Sequence, residues 1–195
     1  MINKKEELRK LYEEMKNCHK CEISSLPENQ DRPEGGENPD AEIMIVGIAL
    51  SKSKKKRIRK GRFCTNSRMD ELICKALNEI GLSEEEDVFG TDAVKCFLPK
   101  NRKAKIKEMK EIIKNCRPFL EKEIKIINPK VIILMGREPC NLFNINFEDI
   151  RYSTDGKIIT GIHHPAYCTR FGLKKGLPEK FLEHFRKVKI IMERV

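Results

Sequence analysis

Cys18 and Cys21 form a CxxC pair within CHKC, and two further cysteines, Cys96 and Cys116, lie 20 positions apart far downstream. Two tight neighbours and two distant residues can close one site of four thiolates only where the fold brings them together. Such a set suits either a zinc ion or an iron-sulfur cluster. A second stretch with chemical potential is SKSKKKRIRKGR, which carries eight basic residues among the eleven from Lys52 to Arg62, including Lys54, Lys55, Lys56, Arg57, Arg59 and Lys60. It is either a solvated loop or a grip on phosphates. A third is HHP, where His163 and His164 precede Pro165 at the end of a predicted strand, a better position for catalysis than the middle of an element.

Hydrophobic patterning supplies the elements that must position these residues. Leu8, Leu11, Tyr12 and Met15 recur at helical spacing, so residues 3 to 16 form a short amphipathic helix leading to Cys18. Residues 24 to 40, rich in Pro, Gly, Asn and Glu, read as a long loop. AEIMIVGIAL, residues 41 to 50, is uniformly apolar and β-branched, as in a parallel strand buried on both faces, and it ends near Gly47. The basic run therefore follows the C-terminal end of a core strand, where open α/β sheets bind their ligands. Met69, Leu72, Ile73, Ala76, Leu77 and Ile80 predict a helix closed by Gly81. VFGTDAVKC predicts a second strand ending between Asp92 and Lys95, residues 105 to 127 a helix containing Cys116 or broken before Pro118, PKVIILMG a third strand, KIITGIHHP a fourth, and residues 178 to 193 the last helix. Strands alternating with helices predict one domain over residues 1–195, a three-layer α/β/α sandwich around a central, mainly parallel four-stranded sheet.

Charged residues make up 36% of the 195, with a formal net charge of +10, which favours a polyanionic partner, nucleic acid first. No apolar run approaches the roughly 20 residues of a membrane span. The charged N-terminal segment is unlike a signal peptide, so a cytoplasmic monomer with reduced thiols is expected. Cys64, Cys74, Cys140 and Cys168 then read as small buried apolar residues, Cys74 most clearly.

The order of these pieces resembles the uracil-DNA glycosylase superfamily, in particular its iron-sulfur branch, often called family 4. The resemblance rests on CHKC, AEIMIVGIA, GRFCTNSRMDEL, TDAVKCFLPKNR, NCRPFL, NPKVIILMG and HHP, in the family's order. It implies a 4Fe-4S cluster held by Cys18, Cys21, Cys96 and Cys116, with zinc the lesser alternative, and DNA as the partner. It also implies that Phe63 stacks on a flipped base and that His164 donates to the base oxygen as negative charge develops there. Tyr167, Arg170 and Phe171 would probe the minor groove. The activity implied is hydrolysis of the bond between a damaged base, uracil by family default, and deoxyribose.

Two positions depart from the family's pattern. An acidic residue that positions water usually follows the strand-end glycine, whereas Gly47 is followed by Ile48, Ala49 and Leu50. The family's base-reading Asn is replaced by Asp92. An amide both donates and accepts, but an ionised carboxylate only accepts. Asp92 therefore reads a base edge that donates, or it orients water. The alternative from a different class is a catalytically silent iron-sulfur protein of the same fold that only binds nucleic acid.

Overall fold

The computed structural model describes residues 3–30, 34–49, 68–98, 106–170 and 176–194. Helix α1, Lys4–Lys16, begins at Asn3, whose side chain accepts the Glu6 N–H, and it buries Leu8, Leu11, Tyr12 and Met15. After two short 3-10 turns, Glu22–Ser25 and Pro27–Asn29, comes strand β1, Ile43–Gly47, buried throughout. Helix α2, Arg68–Glu79, ends before Gly81, which takes the left-handed conformation at φ 70°. A one-turn helix α3, Glu84–Asp87, leads into β2, Val88–Asp92. Helix α4, Ile106–Ile127, runs through Pro118 without a break and carries Cys116. The remaining elements are β3 (Val131–Met135), α5 (Arg137–Leu142), β4 (Ile150–Tyr152), β5 (Ile158–Ile162), α6 (Pro165–Arg170) and α7 (Leu177–Met192).

The sheet order is β2-β1-β3-β5-β4, with the first four strands parallel and β4 antiparallel to β5. Side chains alternate across it with period two. Ile43 and Ile45 of β1 and Ile133 and Met135 of β3 face a core completed by α2 and by Phe181 and Phe185 of α7. Met44, Val46, Ile132 and Leu134 face the opposite core, with Leu11 and Met15 of α1 and Leu120 and Ile127 of α4. The sheet is thus sandwiched between helical layers, as expected. No helix among the described residues is long and apolar enough to cross a membrane.

The sheet has five strands rather than the expected four. The additional one, β4, is three residues long at an exposed edge, so it lacks the apolar run that marks the buried strands. A turn fixes it instead: the Ser153 N–H donates to the Lys157 carbonyl at 2.8 Å, and Gly156 adopts φ 83°. The loop expected over residues 24 to 40 is more ordered than its composition suggests. Its Gly36 N–H donates to Gly90 at 2.8 Å, covering the β2 edge of the sheet.

Gly161 of β5 lies under a close approach of the chain. A β-carbon there would sit 2.6 Å from the Asn146 carbonyl oxygen and 2.8 Å from the Cys140 sulfur. Gly161→Ala is accordingly expected to destabilise the fold by about 1–3 kcal/mol, read from urea denaturation. A loss of no more than about 0.3 kcal/mol would show that the neighbouring chain yields freely.

Candidate functional site

The first four strands end on one side of the sheet, and the order changes direction between β1 and β3, where an open parallel sheet leaves a crevice. At the end of β1, Gly47 is in register with Asp92 at the end of β2. The two segments stay together past the strands: the Ala93 N–H donates to Gly47 at 2.8 Å and the Val94 N–H to Ile48 at 2.9 Å. Asp92, Gly47 and Ile48 are therefore neighbours by backbone pairing. Asp92 and Ile48 are each half-buried.

Across the crevice, the Gly136 N–H donates to the Ile162 carbonyl at 2.9 Å, and Gly136 adopts φ 101°. The positive φ favours glycine at Gly136, beside which His164 packs, its Cβ and Cδ2 lying 3.5 and 3.8 Å from where a β-carbon would stand, an ordinary contact distance. The half-buried His164 precedes α6, and its Nδ1 accepts the Ala166 N–H at 3.1 Å. With Nδ1 acting as acceptor, the neutral ring carries its proton on Nε2. His163 turns elsewhere and packs between Phe147 and Tyr167, with ring centroids 3.9 and 5.5 Å away. Burial lowers its pKa, and Lys180 pushes the same way against Glu148. Tyr167 and Arg170 are exposed on α6.

Three of the four expected thiol residues meet in one buried cluster. Cys96 and Cys116 are buried with Val94, Leu98, Ile112 and Ile113, and Cys21 packs against this cluster. Cys18 packs against the adjoining core. Burial raises the pKa of Cys116, with Cys21 and Cys18 adding to the rise and the Lys95 backbone N–H opposing it. Among the described residues, no three His, Cys, Asp or Glu side chains stand close enough together to hold a single metal ion.

Sequence reasoning missed a buried ion pair between these two regions. Lys95 Nζ lies 2.5 Å from Glu123 Oε2, and the side chains are 4% and 0% exposed. The Thr91 hydroxyl donates to the same oxygen at 2.7 Å, and Lys95 also donates to the Thr91 oxygen at 2.7 Å. Glu123 Oε1 is buried without a partner among the described residues. A signal was available: a lysine inside the apolar run AVKCFL needs a buried anion.

Cys74 requires a correction. It is half-buried and disulfide-bonded, not a free apolar filler. Helical periodicity does not register such a bond. Cys140 and Cys168 are buried free thiols, both pushed up to about 11 by burial. Phe63, Cys64, Phe171 and the basic residues Lys54, Lys55, Lys56, Arg57, Arg59 and Lys60 lie outside the described residues.

A family model described as the uracil DNA glycosylase superfamily matches residues 34–189. The chain is 32% identical over 189 residues to the type-4 uracil-DNA glycosylase of Sulfurisphaera tokodaii, covering 89% of this chain and 81% of that protein. It is 35% identical over 190 residues to the type-4 enzyme of Saccharolobus solfataricus, covering 91% and 82%. With the type-4 enzyme of Archaeoglobus fulgidus the identity is 28% over 198 residues, covering 94% and 92%.

Removing one member of the buried pair leaves an uncompensated charge. Lys95→Met alone is expected to cost about 3–5 kcal/mol of stability, and Lys95→Met with Glu123→Leu less than that single change. A double-mutant cycle by chemical denaturation checks this; strictly additive losses would mean the two charges are not coupled.

Proposed function

The chain belongs to the uracil DNA glycosylase superfamily, and on that basis we propose that it is a DNA glycosylase of base-excision repair that hydrolyses the N-glycosidic bond of a flipped, damaged base. The His164 imidazole carries this reading: it stands just past the end of β5, and with Nδ1 accepting the Ala166 N–H the neutral ring has Nε2–H as its donor. Cleavage of the C1′–N bond leaves positive charge on the sugar and negative charge on the departing base. A donor oriented beforehand toward the base oxygen stabilises that charge without reorganisation. Water supplies the hydroxyl that completes the sugar, and the base leaves with a proton.

Asp92 is the second site residue. Its register opposite Gly47 supports a place beside the crevice, where the family's amide would read the base, with Gly47 and Ile48 as the proposed neighbours of that base. No acid follows Gly47, and Asp92 is the carboxylate proposed to take over water activation or to select a base edge that donates. Phe63 is the proposed stacking partner of the flipped base. The run from Lys54 to Lys60 is the proposed grip on phosphates, and Tyr167 and Arg170 are the proposed minor-groove contacts.

Cys18, Cys21, Cys96 and Cys116 would hold a 4Fe-4S cluster, which supplies a structural tie between the N-terminal segment and α4. The donor set supports this. Cys96, Cys116 and Cys21 meet in one buried cluster, Cys18 packs against the adjoining core, and both Cys21 and Cys18 act electrostatically on Cys116. Four thiolates suit a cluster or zinc by chemistry, and the likeness to type-4 enzymes favours the cluster.

The decisive measurement is alkali-revealed strand cleavage of oligonucleotides carrying uracil or another damaged base. The anaerobically purified chain is expected to excise at least one of them, and His164→Ala to lose about 10²–10³-fold in single-turnover rate while binding DNA nearly as well. DNA binding with no excision from any substrate would favour the silent binding protein. Asp92→Asn is expected to shift the excision profile toward uracil across the same panel; an unchanged profile would remove Asp92 from base reading.

A further inference from the structure

Three side-chain contacts around the thiols each join a neighbour of one cysteine to the segment of another. Asn115, one position before Cys116, donates from Nδ2 to the Lys20 carbonyl between Cys18 and Cys21 at 3.0 Å. Lys95, one position before Cys96, is held by Glu123, two turns beyond Cys116 on α4. Asn29 closes the third side. Its Oδ1 accepts the N–H of Phe97, one position after Cys96, at 2.6 Å, and its Nδ2 donates to the Phe97 carbonyl at 3.2 Å and to the Ile23 carbonyl at 2.7 Å. Ile23 belongs to the turn that opens at Cys21, where the Ser24 N–H and hydroxyl both donate to the Cys21 carbonyl, at 3.0 and 2.5 Å.

Asn29 is fully buried, although it lies in a segment of loop composition. Burying a primary amide is costly unless its groups are paired. Here Asn29 bonds the Phe97 backbone from both its oxygen and its nitrogen, as a neighbouring strand would, at a point where the chain has left the sheet. That places a rigid link between the Cys21 turn and Cys96, made wholly of protein atoms.

We infer that Asn29 is a positioning residue for the four-cysteine site: it sets the separation of the Cys21 and Cys96 segments in the folded chain before any cluster binds. This inference rests on the cluster reading above and adds that the site is built in advance. Metal sites whose ligands are brought together only by the metal behave differently, since there binding and folding are one event. On this inference the cluster would enter a chain already folded around its place. Partners that orient ligands from behind tune how tightly the group is held, which makes Asn29 matter to cluster retention beyond its contribution to the fold.

The test compares iron content and the rate of iron loss to a chelator in wild type and Asn29→Ala, alongside amide exchange at Phe97 in wild type stripped of its cluster. Expected are iron loss about 10- to 100-fold faster in Asn29→Ala, with native helix content by circular dichroism, and a Phe97 amide still protected in the stripped wild type. Equal rates of iron loss, or a Phe97 amide that exchanges freely once the cluster is gone, would overturn the inference. If Asn29→Ala does not fold, Ser24→Ala takes its place: it removes one hydroxyl contact to the Cys21 carbonyl, and faster iron loss is again expected, with an unchanged rate counting against. Wild type purified anaerobically without iron would overturn both the cluster reading and this inference. That outcome is recognised from wild-type iron content alone, whereas failure of the inference by itself leaves wild type loaded.

Discussion

The carboxylate of Glu123 anchors the segment on which both halves of the site depend. From near the C-terminal end of α4 it accepts the Thr91 hydroxyl and the Lys95 ammonium, which come from the last part of β2 and the connection after it. Asp92 follows the first of these residues and Cys96 the second. The segment that carries Asp92 and Cys96 is therefore held by one buried oxygen. Burying the pair is expensive, and the unpartnered Oε1 adds to that expense. In return, the chain between Thr91 and Cys96 has one register against α4, where an apolar contact would tolerate sliding.

The parallel sheet explains why the crevice lies where it does. Gly47, Asp92 and Gly136 stand at or just past the ends of strands that point the same way, and β1 and β3 part at the change of strand order. Each strand end releases the chain into a loop free to carry chemistry while the strand itself stays fixed in the core. His164 illustrates the division. Its backbone leaves β5 and caps α6, with its carbonyl accepting the Tyr167 and Cys168 N–H groups at 2.8 and 3.2 Å, while its ring is held by the Ala166 N–H. A rigid strand and a short helix thus fix an imidazole that neither element contains.

The parts of this architecture legible in the sequence were those with strong local signals. The four parallel strands are buried on both faces, so their apolar runs were visible, and the amphipathic helices declared themselves by spacing. The edge strand β4 was not visible, because only Ile150 of its three residues packs against a core and the turn at Gly156 does the rest. Asn29 could not be read at all: a buried asparagine in a loop has the same local sequence as an exposed one, and only its pairing with Phe97, 68 residues away, distinguishes them. The disulfide at Cys74 was hidden for a related reason, since helical periodicity reports a face and not a bond. Lys95 was readable as a conflict, but its partner Glu123, 28 residues later, was not.

The proposed roles of His164 and Asp92 would separate two demands that a glycosylase places on its pocket. Stabilising the departing base requires a donor, and the backbone bond to Nδ1 commits the neutral His164 ring to donating from Nε2. Selecting the base requires complementarity on another edge, and there Asp92 replaces an amide that donates and accepts with a group whose ionised form only accepts. An ionised Asp92 also repels the charge that His164 would stabilise, unless the base offers it a hydrogen. A base with an amino or ring N–H on that edge turns the same carboxylate from a penalty into a contact, and the unpaired alternative is disfavoured by far more than a missing methyl group would be. In the proposed mechanism the donor would bear on whether the bond breaks at all, while the carboxylate would discriminate among the bases on which it breaks.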